Sequence, residues 1–169
     1  MKHFAYRVDH DTGFAPNTEK GICTLSGCKK TTIEKWAKAG SWVIGIGGNN
    51  TTKPNKLIYA MEVEENLPYS IFKRKYPEKS KYLKKENAGT NVLVSRRFYY
   101  FGNNALSLPD RLKHIIIDRC GCKCVSEEDI HKLKKHIWAC GYKNGVLGQP
   151  NNMQSTQNVK NIHARCRKG

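Results

Sequence analysis

Trp42-Val43-Ile44-Gly45-Ile46-Gly47 and Lys56-Leu57-Ile58-Tyr59-Ala60-Met61-Glu62-Val63-Glu64 are two strand-forming runs separated by the turn-rich segment Asn49-Asn50-Thr51-Thr52-Lys53-Pro54-Asn55. Apolar, β-branched and aromatic residues on both sides of such a segment predict an antiparallel hairpin, around which the rest of the chain is read. Upstream, Phe4-Ala5-Tyr6-Arg7-Val8 alternates as a half-buried strand does, and Asp9-His10-Asp11-Thr12-Gly13 breaks it. Downstream, Asn91–Ser95, Arg97–Phe101 and His114–Asp118 carry the same β-rich composition. Thr31-Thr32-Ile33-Glu34 fits a capping box and Gly40 a C-terminal cap, which predicts a short helix over 32–39. A longer helix is expected from Ser126 to about Cys140, with Ile130, Leu133 and Ile137 on its buried stripe and Gly141 ending it.

Strands interrupted by short helices, without strict alternation, predict an α+β domain built on a small, strongly curved, mainly antiparallel sheet or barrel with short flanking helices. At 169 residues the chain has the size of one domain. We read residues 1–150 as that domain and 151–169 as a basic, Asn/Gln-rich tail expected to be mobile.

Thirty Lys and Arg against fourteen Asp and Glu leave a net charge of +16, a field that draws polyanions. Hydrophobic residues make up 38%, including three Trp, eight Tyr and five Phe, which is too apolar for a disordered basic tail. The sequence contains neither a membrane-length apolar run nor the apolar stretch of a signal peptide, so no membrane partner and a cytoplasmic location are expected. Seven cysteines, an odd number, fit reduced thiols better than a disulfide framework.

Residues 73–85 hold seven Lys/Arg and a single Glu, with Tyr76 and Tyr82 interleaved. Lys73, Arg74, Lys75, Lys79 and Lys81 are the expected phosphate contacts, and the tyrosines are candidates for stacking on unpaired bases. The competing reading is a solvated connection with its tyrosines packed inward. Cys120, Cys122 and Cys124 alternate along one strand face, a spacing that suits core thiols better than structural zinc. His131 and His136 fall on nearly opposite sides of a helix. No metal and no cofactor is expected. Cys28, just ahead of a helix start, is a candidate reactive thiol.

Asp11-Thr12-Gly13-Phe14-Ala15-Pro16-Asn17, Cys28-Lys29 and Gly40-Ser41-Trp42-Val43-Ile44-Gly45 resemble the second nucleotide-modification-associated domain family. The resemblance continues through Lys56–Val63 and Phe98-Tyr99-Tyr100-Phe101-Gly102 to Gly145-Val146-Leu147-Gly148, so it covers most of residues 4–150. It implies a setting in systems that modify nucleobases in phages and bacteria, with partner proteins of such a system. More remotely, the run from Gly40 through Val63 resembles the barrel core of PUA-like domains, including EVE and YTH readers of modified bases.

A base reader needs an aromatic face, polar groups for the base edge and a basic rim. The expected pocket is Asp11, Phe14 and Asn17 with Trp42 and Tyr99 or Tyr100, with Cys28 beside it and Lys29, Arg96 and Arg97 on its rim. Each has a plainer reading: Trp42 as core, Asp11-Thr12-Gly13 as an Asx-type turn, Arg96 and Arg97 as partners of acids across the sheet. The expected function is binding of nucleic acid or a modified nucleotide in DNA base modification. The alternatives are a small base-modifying enzyme, with Asp11 as proton acceptor and Cys28 as nucleophile, and a basic protein that docks on a larger complex.

Overall fold

The computed structural model describes residues 1–26, 33–83, 91–118 and 121–151. Among the described residues, nine strands form two sheets. The larger is assembled from β1 (His3–Val8), β3 (Trp42–Gly47), β4 (Leu57–Glu62), β7 (Arg97–Tyr100), β8 (Cys122–Val125) and β9 (Gly145–Val146), in the order β8-β1-β3-β4-β7-β9. The smaller, β2-β6-β5, joins β2 (Cys23–Leu25), β6 (Asn91–Ser95) and β5 (Glu65–Pro68) in antiparallel pairs.

The expected hairpin is present as the antiparallel pair β3–β4, with a register shift at Gly45/Ile46. The α+β class stands, but the arrangement of the sheet is corrected. The six-stranded sheet is mixed, since β1 pairs with β3 and β7 with β9 in parallel, and among the described residues it runs open from β8 to β9 without closing into a barrel. The parallel pairs arise because the chain leaves the sheet between partners. After β1 it passes through β2 in the other sheet and α1 (Ile33–Trp36) before re-entering at β3, a crossover that a parallel pair requires.

Both faces of the large sheet are covered, which explains why β3 is buried at every position instead of alternating. One face, with Phe4, Tyr6, Val8, Val43, Tyr59, Met61 and Tyr100, packs on Cys23, Leu25 and Leu93 of the small sheet and on Ile33 and Ala37. The other, with Ala5, Trp42, Ile44, Ile46, Ala60 and Tyr99, receives α4 (Glu127–Ala139) through Ile130, Leu133 and Ile137. Burying each of those three aliphatic side chains contributes about 1.5–3 kcal/mol. The start of α4 matches the sequence expectation, since the Ser126 hydroxyl accepts from the Asp129 amide at 3.1 Å, worth about 1 kcal/mol. Gly141 follows the helix at φ 80°.

Two elements depart from the expected pattern. His114–Asp118 is not a strand: Asp110–Ile115 is a 3-10 helix whose Leu112 and Ile115, three apart, both enter the core under α4. The carbonyls of His114 and Ile116 are taken by the Lys123 ammonium rather than by a strand partner. The helix expected over 32–39 is a single turn, α1, and the carbonyls of its Glu34 and of the following Ala37 each accept from Asn66 Nδ2 at 2.7 Å. Thr31 and Thr32 of its capping box lie outside the described residues. The basic segment folds as α2 (Tyr69–Lys75) and α3 (Pro77–Ser80), with Phe72 and Leu83 seated on Val92 and Val94 of the small sheet.

Candidate functional site

Between the two sheets lies a band of buried polar side chains. Tyr6, Gly45, Tyr59 and Tyr100 are register partners in one row across β1, β3, β4 and β7. The Tyr59 hydroxyl donates to that of Tyr6 at 2.7 Å over Gly45, where a side chain's Cβ would stand 2.3 Å from the Tyr59 ring. At the end of the row Tyr100 donates to Asp11 Oδ1 at 2.6 Å, while the backbone and side-chain amides of Asn151 reach Asp11 Oδ2 at 3.1 and 3.0 Å. Burial first, and the Asp11 carboxylate second, raise the Tyr100 hydroxyl well above its ordinary range, so it stays a donor.

The loop from Asp9 to Ile22 reaches this band through Asp11 and is pinned to α3 through Asn17 and Lys79. Asn17 Nδ2 donates to the Gly13 carbonyl at 2.9 Å, and Asn17 Oδ1 accepts from the Glu19 amide at 3.2 Å. The Lys79 ammonium donates to Asn17 Oδ1, to the Asn17 carbonyl at 3.1 Å and to the Glu19 carbonyl at 2.7 Å. Burial pushes Lys79 down to about 8, partly opposed by Cys23 and Glu19, and pushes the Cys23 thiol up to about 12, partly opposed by Lys79. Lys79 is only 2% exposed. It therefore departs from the row of expected phosphate contacts, because its ammonium is turned inward onto loop carbonyls.

The opposite face carries the other expected aromatics. Adjacent residues of a strand point to opposite sides, so Tyr99 faces away from Tyr100 and Asp11 and toward α4, together with Trp42. The expected pocket is thus divided by the sheet: Asp11 and Tyr100 on one side, Trp42 and Tyr99 on the other. Phe14 is half-buried in the loop, and Cys28 and Lys29 lie outside the described residues.

On the α4 side, Lys134 Nζ stands 5.6 Å from the ring centroids of both Trp42 and Trp138. Trp138 Nε1 donates to the Tyr99 hydroxyl at 3.0 Å, while the Trp138 side chain remains 56% exposed and Trp42 only 6%. His3 fixes α4 over the sheet. Its Nδ1 accepts from the Trp42 amide at 2.9 Å, so Nε2 carries the proton donated to Glu127 Oε2 at 2.7 Å. Trp42, Glu62 and Arg97 are register partners in a second row, and Arg97 reaches Glu62 at 3.3 Å and Glu64 at 3.5 Å. Arg96 contacts Glu64 at 3.5 Å and lies 5.8 Å from the Tyr76 ring centroid. Both arginines pair with acids across the sheet yet stay more than half exposed. Arg97 therefore shares the strand face of Trp42 and Tyr99, beside Trp138 and Lys134, whereas Arg96 turns to Tyr76 on the side of the small sheet.

Lys73, Arg74, Lys75 and Lys81 are exposed, with Lys75 paired to Glu65 at 2.5 Å and Lys81 to Glu78 at 2.7 Å. Tyr82 is exposed, whereas Tyr76 packs on Phe72 and donates to Glu65. Cys122 is half-buried and Cys124 exposed, so the thiol face of β8 lies at the margin of the core rather than within it, and Cys120 lies outside the described residues. Among the described residues, no group of three or more His, Cys, Asp or Glu could hold a metal ion, and no helix is long and apolar enough to cross a membrane. Trp138 and Lys134 lie outside the expected site residues. The signal was available: Trp138 follows Ile137 directly and so falls off the buried stripe of α4.

The family model for nucleotide modification associated domain 2 matches residues 1–80 and 71–157. No curated protein and no solved structure matches the chain.

Proposed function

The chain belongs to the nucleotide modification associated domain 2 family, and from that premise we propose that it binds a nucleotide or nucleic acid on behalf of a nucleotide-modification system, using the face beside α4. The observation that carries this reading is the exposed Trp138 ring, with Lys134 between it and Trp42 and its indole nitrogen tied to Tyr99. A fixed aromatic face stacks on any base, and a cation beside it attracts phosphate and contacts the π-system. Arg97, exposed and in the same cross-strand row as Trp42, supplies the rim, and the net charge of +16 supplies the long-range attraction.

In this reading a base is held by stacking at a sheet–helix seam, a different device from the closed barrel of PUA-like domains. The enzymatic alternative draws no support from Asp11, because its carboxylate is engaged by Tyr100 and Asn151.

The test is titration of the four deoxynucleoside monophosphates and their base-modified forms against wild type, Trp138→Ala and Trp138→Tyr. Trp138→Ala removes about 1–3 kcal/mol of binding, and Trp138→Tyr restores most of it. The melting temperature barely moves, since Trp138 lies outside the core. Unchanged affinity in Trp138→Ala contradicts the proposal, and no measurable nucleotide affinity in wild type leaves the docking role standing.

A further inference from the structure

A second exposed tryptophan extends the binding surface. Trp36, at the end of α1, is 49% exposed, and the ammonium groups of Lys2 and Lys35 stand 5.2 and 5.3 Å from its ring centroid. It belongs to the same end of the large sheet as the Trp138 face. Lys2 directly precedes His3, whose ring accepts from the Trp42 amide, and Trp42 opens the row that continues through Glu62 to Arg97. The two tryptophans reach that end from opposite sides, because α1 packs through Ile33 and Ala37 into the core between the sheets while α4 packs on the outer face. Two rings so placed cannot sandwich one base. They suit a flexible strand that crosses the end of the sheet, stacking one base on each side while its phosphates pass Lys2, Lys35, Arg97 and Lys134. A duplex, with its bases paired and stacked inside, offers neither ring a face.

Resting on the binding reading above, we infer that the ligand is a single-stranded polynucleotide, held at two separated stacking points, Trp138 and Trp36. The experiment compares thymidine monophosphate, a thymidine oligonucleotide of about ten residues, within the span one such binding surface covers, and the same strand hybridised to its complement. A uridine oligonucleotide run alongside tells DNA from RNA as the source of the strand. The single strand binds wild type more tightly than either the monophosphate or the duplex. Trp36→Ala weakens the oligonucleotide about fivefold or more, a larger loss than it causes for the monophosphate, and Trp36→Tyr recovers most of it. Melting curves of both variants check that the fold is intact. Undiminished oligonucleotide affinity in Trp36→Ala, or a duplex bound as tightly as the single strand, overturns the inference. If Trp138→Ala weakens both single-stranded probes and Trp36→Ala weakens neither, the two-point strand falls and the nucleotide site stands. If Trp138→Ala also has no effect, the underlying reading falls with it.

Discussion

The two faces of the six-stranded sheet use the same kinds of side chain, aromatics beside cations and acids, to opposite ends. Between the sheets, buried polar side chains are hydrogen-bonded in pairs, Tyr59 to Tyr6, Tyr100 to Asp11 and Lys79 to Asn17, the last also holding loop carbonyls. On the α4 side, Trp138 and Arg97 stay largely exposed while Trp42, Tyr99 and Lys134 hold the aromatic–cation seam in place. A buried polar group must find its partners within the chain, because losing one costs the full desolvation of the group left behind. Polar groups that remain wet are spared that constraint and can turn to a ligand. The inner face is therefore the one whose loss is felt in stability, and the outer face the one whose loss is felt in binding.

The largest expected effect comes from breaking the inner face. Asp11→Ala strands the Tyr100 hydroxyl and the amides of Asn151, and chemical denaturation should show a loss of about 3 kcal/mol. Nucleotide affinity per folded molecule should be unchanged. Asn17→Ala belongs to the same class, since both ends of its amide are spent on the loop and on Lys79, so it reads out as lost stability rather than lost recognition. Weakened affinity in folded Asp11→Ala would move the binding site back between the sheets.

A smaller effect follows from the titration of Lys79. Its folded value lies near 8, below the ordinary 10.5, so above pH 8 the unfolded chain holds the proton that the folded chain has released, and stability rises with pH. Cys23 acts in the opposite sense. Its folded value near 12 lies above the ordinary 9.0, so stability is lost as pH climbs past 9. The difference between the two proteins isolates Lys79: from pH 8 to 9 wild type should gain about 1 kcal/mol relative to Lys79→Met, whose stability declines slightly as Cys23 of the unfolded chain begins to ionise. Equal slopes in the two proteins would show that Lys79 is not buried as described.

The division between faces was partly legible in the sequence. The β3–β4 hairpin, β6, β7 and α4 all fall within a residue or two of the expected bounds, because each has strong periodicity or clear punctuation. The split of the pocket was legible too, since Tyr99 and Tyr100 are neighbours in a strand and must face opposite ways. The role of Lys79 was not. In a thirteen-residue segment holding seven basic residues nothing local separates it from Lys81, and its acceptors come from a loop 60 to 62 residues upstream. The isoleucines before Asp118 misled for a similar reason: three β-branched residues resemble a strand, but the carbonyl acceptors there are met by Lys123 from β8.

The smallest expected effect concerns the exposed basic helix, which sharpens the outer face without defining it. Replacing Lys73 and Arg74 by Gln should lower the magnitude of the salt slope of oligonucleotide binding by about one for each phosphate no longer neutralised. Lys79→Met should leave that slope untouched, since its charge never meets solvent. An equal reduction from Lys79→Met would erase the distinction drawn between buried and exposed lysines.

The most direct measurement uses the three tryptophans, one near-core and two exposed, as internal reporters. Their indole N–H resonances, assigned by single Trp→Phe variants, can be followed by NMR while nucleotide is added. The Trp138 resonance should shift progressively and saturably, because its N–H is fixed to Tyr99 and its ring is where the base stacks. Saturable binding that leaves the Trp138 resonance in place while the amides of Asp11 and Asn17 shift would contradict the account and return recognition to the inner face.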